Sequence, residues 1–212
     1  MSIDPTTIAV VRGAFEHLAD DMDTVLATSA ISPVIADAWD RASGVFHPET
    51  GEVIVQGQTG MPIFVVVMQH TVQEVLKDWR PEEMAPGDVF IVNDPYRGGT
   101  HTMDVKFVRP YFHDGKPAFF LANTGHWPDV GSMSPGGFTP VATDVYQEGL
   151  RLPPVKIYRA GELDRTLLDV MLLNMRLPEE REGDMAAQVN ALELGCQRLD
   201  ELIKRFGGDT LM

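Results

Sequence analysis

The residue pair Asp114-Gly115 constrains this chain more than any other feature. It sits between two strand-like runs, "VKFVRPYF" and "PAFFLANTGHW", and Asp-Gly between such runs is a strong hairpin signal, because glycine accepts the positive φ that a tight reversal needs. Residues 105 to 127 are therefore predicted to fold as an antiparallel hairpin, with its two outer ends side by side. The start of the first strand, His101 to Asp104, then lies against the end of the second, which carries His126.

Two imidazoles and a carboxylate converging in this way form a catalytic type of divalent metal site, since such a set leaves coordination positions free for water or substrate. His101, Asp104 and His126 are the candidate ligands, and zinc, manganese or iron(II) would suit them. Gly98 and Gly99 precede them and would let the backbone come close to the ion. A structural reading stands beside this one, because histidines near strand ends are commonly hydrogen-bonded residues and HxxD recurs by chance. His17 and His113 read as exposed, His47 as part of a turn and His70 as the start of a helix. Asp94, Asn123, Asp129 and Glu148 fall in loops or at strand ends near the trio. Asp129 and Glu148 are candidate proton acceptors, and Asn123 and Asp94 are candidate substrate contacts. Each of the four also reads as a turn cap.

The rest of the chain supplies helices at both ends. Asp4-Pro5 reads as a helix start, followed by Ile8, Val11, Phe15, Leu18, Met22 and Val25 at alternating three and four spacing. A short helix carrying Ile35 and Trp39 follows Ser32-Pro33. "SGVFHPETGEVIVQGQ" reads as two strands around a turn, "MPIFVVVM" as a strand buried on both faces, and "HTVQEVLKDW" as a short helix. "APGDVFIVND" gives a turn and a strand, and residues 128 to 162 read as a long functional loop or lid. Two helices close the chain. The last carries Met185, Val189, Leu192, Cys196, Leu199, Ile203 and Phe206 as a pairing stripe, stopped at Gly207-Gly208. The expectation is one α+β domain over residues 1–212, a hairpin-rich mixed sheet flanked by N-terminal and C-terminal amphipathic helices.

Charge narrows the functions available. With 17 basic and 31 acidic residues among 212, the net charge is −14, which repels nucleic acid and anionic membrane surfaces. No stretch approaches the ~18 apolar residues of a membrane span, and no basic segment precedes the first apolar residues. Cys196, the single cysteine, reads as a core thiol in a reducing compartment. These features place the protein in the cytoplasm. A phosphate loop of the GxxxxGK[ST] type is absent, so ATP chemistry would reside on another chain.

The strings "NDPYRGGTHTMDV", "ANTGHWPDVGSMSPGG", "YQEGLRLPPVKIYR" and "GDMAAQ", in this order, resemble the hydantoinase B family, whose relatives include part of the 5-oxoprolinases and the metal-carrying subunit of acetone carboxylases. The resemblance runs from about residue 5 to residue 207 and makes this chain look like the N-terminal portion of a hydantoinase B subunit. It implies a hydantoinase A-type partner that uses ATP and Mg to activate a substrate oxygen, while the B part binds a divalent metal and a small-molecule substrate. It also implies that His101, Asp104 and His126 match the metal ligands of the carboxylase relatives. On that resemblance the chain is either a naturally split subunit or a truncated product, and what the rest of a B subunit adds to the pocket would come from another chain, such as a separate C-terminal B-type chain, or be absent. The segment "GQTGMPIFVVV" lacks the histidines of many amide-hydrolysing members. Three functions follow from these readings: an ATP-dependent cyclic-amide hydrolase of the hydantoinase or oxoprolinase sort, a ketone carboxylase subunit, or a non-catalytic assembly subunit.

Overall fold

The computed structural model describes residues 4–212. At its centre is a seven-stranded sheet in the order β2-β1-β5-β4-β3-β6-β7, in which every pairing is antiparallel. The strands are β1 Arg41–Phe46, β2 Val53–Gln56, β3 Val89–Val92, β4 Asp104–His113, β5 Lys116–His126, β6 Val155–Arg159 and β7 Glu162–Leu163. The helices are α1 Pro5–Ser29, α2 Pro33–Ala36, α3 Pro62–Asp78, α4 Arg165–Leu173, α5 Pro178–Phe206 and α6 Gly208–Leu211. This is the expected α+β arrangement, with the long helices α1 and α5 near the two ends.

The predicted hairpin is the central pair β4–β5. Its register places Asp104 opposite His126 at one end and His113 opposite Lys116 at the other, and Gly115 closes the turn at φ +76°. Side chains alternate across it. Val105, Phe107 and Leu121 join the core beneath α1 and α5, whereas Val108, Phe120 and Ala122 join a second core with Phe64, Met68, Val72 and Val75 of α3.

At its start, Asp4 caps α1 by accepting the amides of Thr6 and Thr7. Its stripe buries Phe15, Leu18 and Met22, while Ile8 is exposed. The closing stripe of α5 buries Met185, Leu192, Cys196 and Leu199, and α5 packs against α1 within the chain. Burial pushes the Cys196 thiol up to about 12, which keeps it neutral and unreactive.

Three segments differ from expectation. "MPIFVVVM" is not a strand but the first half of α3. Pro62 starts the helix, and residues at helical spacing, Phe64, Met68, Val72 and Val75, bury against the sheet while Ile63 and Val66 face outward. Packing of one face outweighs the strand preference of a β-branched run. His70 consequently lies inside α3 rather than at its start. The long loop is shorter than 128–162, because residues 155–159 form β6 and pair with β3. Finally, α2 ends at Ala36, and Trp39 lies beyond it with φ +64° and an exposed side chain.

Candidate metal centre

The open end of the β4–β5 hairpin gathers the trio. Val105 points toward α5, so its neighbour Asp104 points to the α3 face, as does His126 directly across. His126 Nδ1 lies 3.3 Å from Asp104 Oδ1, and His101 Nε2 lies 3.4 Å from Asp104 Oδ2. The two imidazoles meet edge to face at 5.1 Å. One donor atom from each residue falls within 4.8 Å of the others. Donors bound about 2.1 Å from a common ion stand roughly 3 to 3.4 Å apart along an edge of its polyhedron, and the 3.3 and 3.4 Å separations match such an edge with Asp104 presenting a different oxygen to each imidazole.

His101 reaches the site from the loop before β4, where the Asp104 amide donates to the His101 carbonyl at 3.0 Å. Asn93, fully buried after β3, fastens that loop: its Nδ2 donates to the carbonyls of Thr102 at 2.6 Å and Leu150 at 2.9 Å. Thr102 Oγ1 donates to the Glu148 carbonyl at 2.9 Å. Gly98 does adopt positive φ, +78°, but a Cβ there would lie 2.7 Å from Thr71 Cα. The close approach it permits is to α3, not to the ligands.

Sequence reasoning missed a fourth group, Asp40. Strand β1 pairs with β5 through Arg41 and Gly125, which sets Asp40 beside His126 with its Oδ2 3.6 Å from Nδ1. Nothing local in the sequence announces this, since the pairing is long-range. Burial raises the Asp40 carboxyl pKa, opposed by the His126 charge, and burial lowers that of His101. For Asp104, burial pushes upward, but the His126 hydrogen bond and the Lys106 and His101 charges together bring the carboxyl below its ordinary value. Thr100 Oγ1 donates to Asp104 Oδ2 and accepts from Lys106 Nζ at 3.2 Å. Lys106 is wholly buried, and burial lowers its pKa to about 8. One buried imidazole nitrogen, His101 Nδ1, has no protein partner.

The other candidates fare differently. Asn123 is not a substrate contact on this face: it is an odd number of residues from His126, points to α5, and donates to the Gln188 carbonyl at 2.7 Å. Asp129 is not a free proton acceptor either. Its carboxylate accepts from the Gly131 amide at 2.8 Å, the Arg176 amide at 3.1 Å and the Arg176 guanidinium at 2.9 Å, which makes it the anchor between this loop and the α4–α5 connection. Asp94 caps its own turn by accepting the Tyr96 amide and faces Arg151 at 3.6 Å. Glu148 is half-buried with its main chain tied to Thr102, which places it next to the His101 loop.

A groove of about 680 Å³ lies elsewhere, between Ile8, Val11, Phe15, Ile54, Phe119 and Leu211. Its hairpin residue, Phe119 of β5, is separated from His126 by about 23 Å of extended chain. The groove shares no residue with the centre.

Residues 4–212 match the Hydantoinase B/oxoprolinase family profile. Over 210 residues the chain is 36% identical to caprolactamase subunit beta of Pseudomonas jessenii, covering 99% of this chain and 36% of that one. The crystal structure of the ATP-dependent caprolactamase from Pseudomonas jessenii superposes with a TM-score of 0.85 at 32% identity, over 100% of this chain and 36% of the other. The nucleotide-free acetone carboxylase structure shares the fold, with a TM-score of 0.87 at 15% identity over 98% of this chain and 28% of that one. The chain thus spans about a third of the length of the relatives it matches.

Proposed function

Because the chain belongs to the hydantoinase B/oxoprolinase family, we propose that it is the metal-binding part of an ATP-dependent cyclic-amide hydrolase working with a hydantoinase A-type partner that uses ATP and Mg. The observation that carries this reading is the convergence of His101, Asp104 and His126 at one end of β4–β5. The 36% identity to a caprolactamase subunit supports amide chemistry, whereas the likeness to acetone carboxylase is one of fold.

His101, Asp104 and His126 would hold zinc, manganese or iron(II). Such a cation, when bound, polarises an amide carbonyl or acidifies a water. Asp104 is kept ionised by its neighbours, and its two oxygens face one imidazole each. Asp40 holds His126 through its main-chain carbonyl, which accepts the His126 amide at 3.0 Å, and its carboxylate lies beside the ring. Both carboxylates, of Asp40 and of Asp104, approach the same ring nitrogen, Nδ1. Glu148 is the proton acceptor we assign, since Asp129 is committed to Arg176.

Metal analysis of the purified chain tests the centre: stoichiometric metal that is lost in His101→Ala and Asp104→Ala supports it, and full retention in both variants removes it. Reconstitution with the A-type partner tests the chemistry. ATP-dependent ring opening is expected, and carboxylation dependent on ATP and bicarbonate in its place would overturn the hydrolase assignment.

A further inference from the structure

Phe138 is 74% exposed, yet its ring lies against the candidate centre. It stacks on His126 at 5.8 Å between centroids, with 22° between the planes. One face of the phenyl ring covers a ligand imidazole and the other is open. The backbone enforces this position. Gly136 and Gly137 have φ of +85° and +79°, a conformation other residues adopt at a cost, and the Phe138 amide donates back to the Gly136 carbonyl at 2.9 Å. A Cβ on residue 137 would overlap the Met103 sulfur and lie 2.9 Å from the Pro128 carbonyl oxygen. The main chain is therefore seated on the residue that precedes Asp104, and Phe138 follows directly.

Charge decides what suits the open face. The guanidinium groups of the neighbouring loops are committed: Arg97 to Glu74 at 2.8 Å and Asp78 at 2.6 Å, Arg151 to Asp94 at 3.6 Å, and Arg176 to Asp129 at 2.9 Å. Lys106 is buried on Thr100 and the Asp104 carbonyl. The groups beside His126 are the carboxylates of Asp40 and Asp104. In the ion-free site a ligand bearing its own carboxylate meets like charge there, whereas a neutral ring meets an apolar surface with polar donors alongside.

We propose that Phe138 is a specificity-determining residue whose open ring face receives the methylene groups of a neutral lactam, with the amide end directed toward His101, Asp104 and His126. The direction of the amide rests on the metal-centre reading of the preceding section; the apolar contact itself requires no ion.

Saturation-transfer NMR on the purified chain tests this, with ε-caprolactam and 5-oxoproline as separate probes and wild type, Phe138→Ala and Phe138→Leu as proteins. Since Phe138 is exposed, all three are expected to melt alike. Saturation should reach the ring methylenes of caprolactam more strongly than those of 5-oxoproline. Phe138→Ala should weaken caprolactam binding about tenfold, as expected for losing contact with two methylenes, and Phe138→Leu should restore most of it. Equal binding by wild type and Phe138→Ala, a preference for 5-oxoproline, or no lactam binding by wild type would each overturn the proposal. Added Mn²⁺ separates the two readings: broadening of the lactam resonances supports both, while undiminished saturation transfer without broadening supports the Phe138 contact and counts against the metal centre.

Discussion

Asp40 and His126 meet twice. The main-chain carbonyl of Asp40 accepts the His126 amide at 3.0 Å, and its carboxylate lies 3.6 Å from the His126 ring nitrogen. The first contact belongs to the fold and the second to the site. Asp40→Asn keeps size and backbone but removes the charge, and is expected to lower divalent-metal affinity about 10- to 100-fold. Calorimetric titration with Mn²⁺ or Zn²⁺ measures this, and unchanged affinity would assign Asp40 a purely architectural role.

Asn123 belongs to a buried network with Gln188, which also donates to the Val105 carbonyl at 2.9 Å and accepts from Trp127 Nε1 at 2.8 Å. Asn123→Ala leaves these groups short of a partner and should cost about 1–3 kcal/mol of stability. Metal affinity should stay the same in the same preparation. A loss of metal without a loss of stability would return Asn123 to the site.

Asp129→Ala removes the acceptor shared by Gly131 and Arg176. The loop after β5 should then exchange its amide hydrogens faster than in wild type, around residues 130–150, with the β4–β5 amides unaffected. Hydrogen exchange followed by mass spectrometry reads both regions at once.

Asp23 is fully buried on α1, with one carboxylate oxygen unpartnered. Burial raises its pKa to about 6 from an ordinary 3.8, only partly offset by Ser43, Arg41 and Thr59. The raised value means the protonated form favours the fold: its stabilising contribution is complete below about pH 4 and is lost as pH climbs through 6. Asp23→Asn should match wild type near pH 4 and exceed it at pH 8 by up to about 3 kcal/mol, at ~1.4 kcal/mol per pKa unit. Denaturant titrations at the two pH values check the sign, and a variant less stable at pH 8 would refute it.

The convergence of His101, Asp104 and His126 was legible because it depends on local rules, namely an Asp-Gly reversal and side-chain alternation along two contiguous strands. The same alternation already places Asn123 on the opposite face from His126, an inference available from counting alone. Asp40 was not legible, because its place depends on β1 choosing β5 as a neighbour across long sequence separation. The run "MPIFVVVM" misled for the opposite reason: its residues favour strands locally, and only the apolar face of the sheet made one helical stripe of it the better solution. The role of Asp129 as an anchor depended on where Arg176 would fall, which no spacing indicates.

Of the candidate trio, Asp104 and His126 lie on one hairpin with a two-residue turn, Asp114-Gly115, and His101 directly precedes it, while Asp40 arrives with a distant strand. Short-range closures form within microseconds, and long-range pairing is slower. The centre can therefore be assembled ahead of the sheet around it, so that a cation present during folding would act as a nucleus on which β1 later closes.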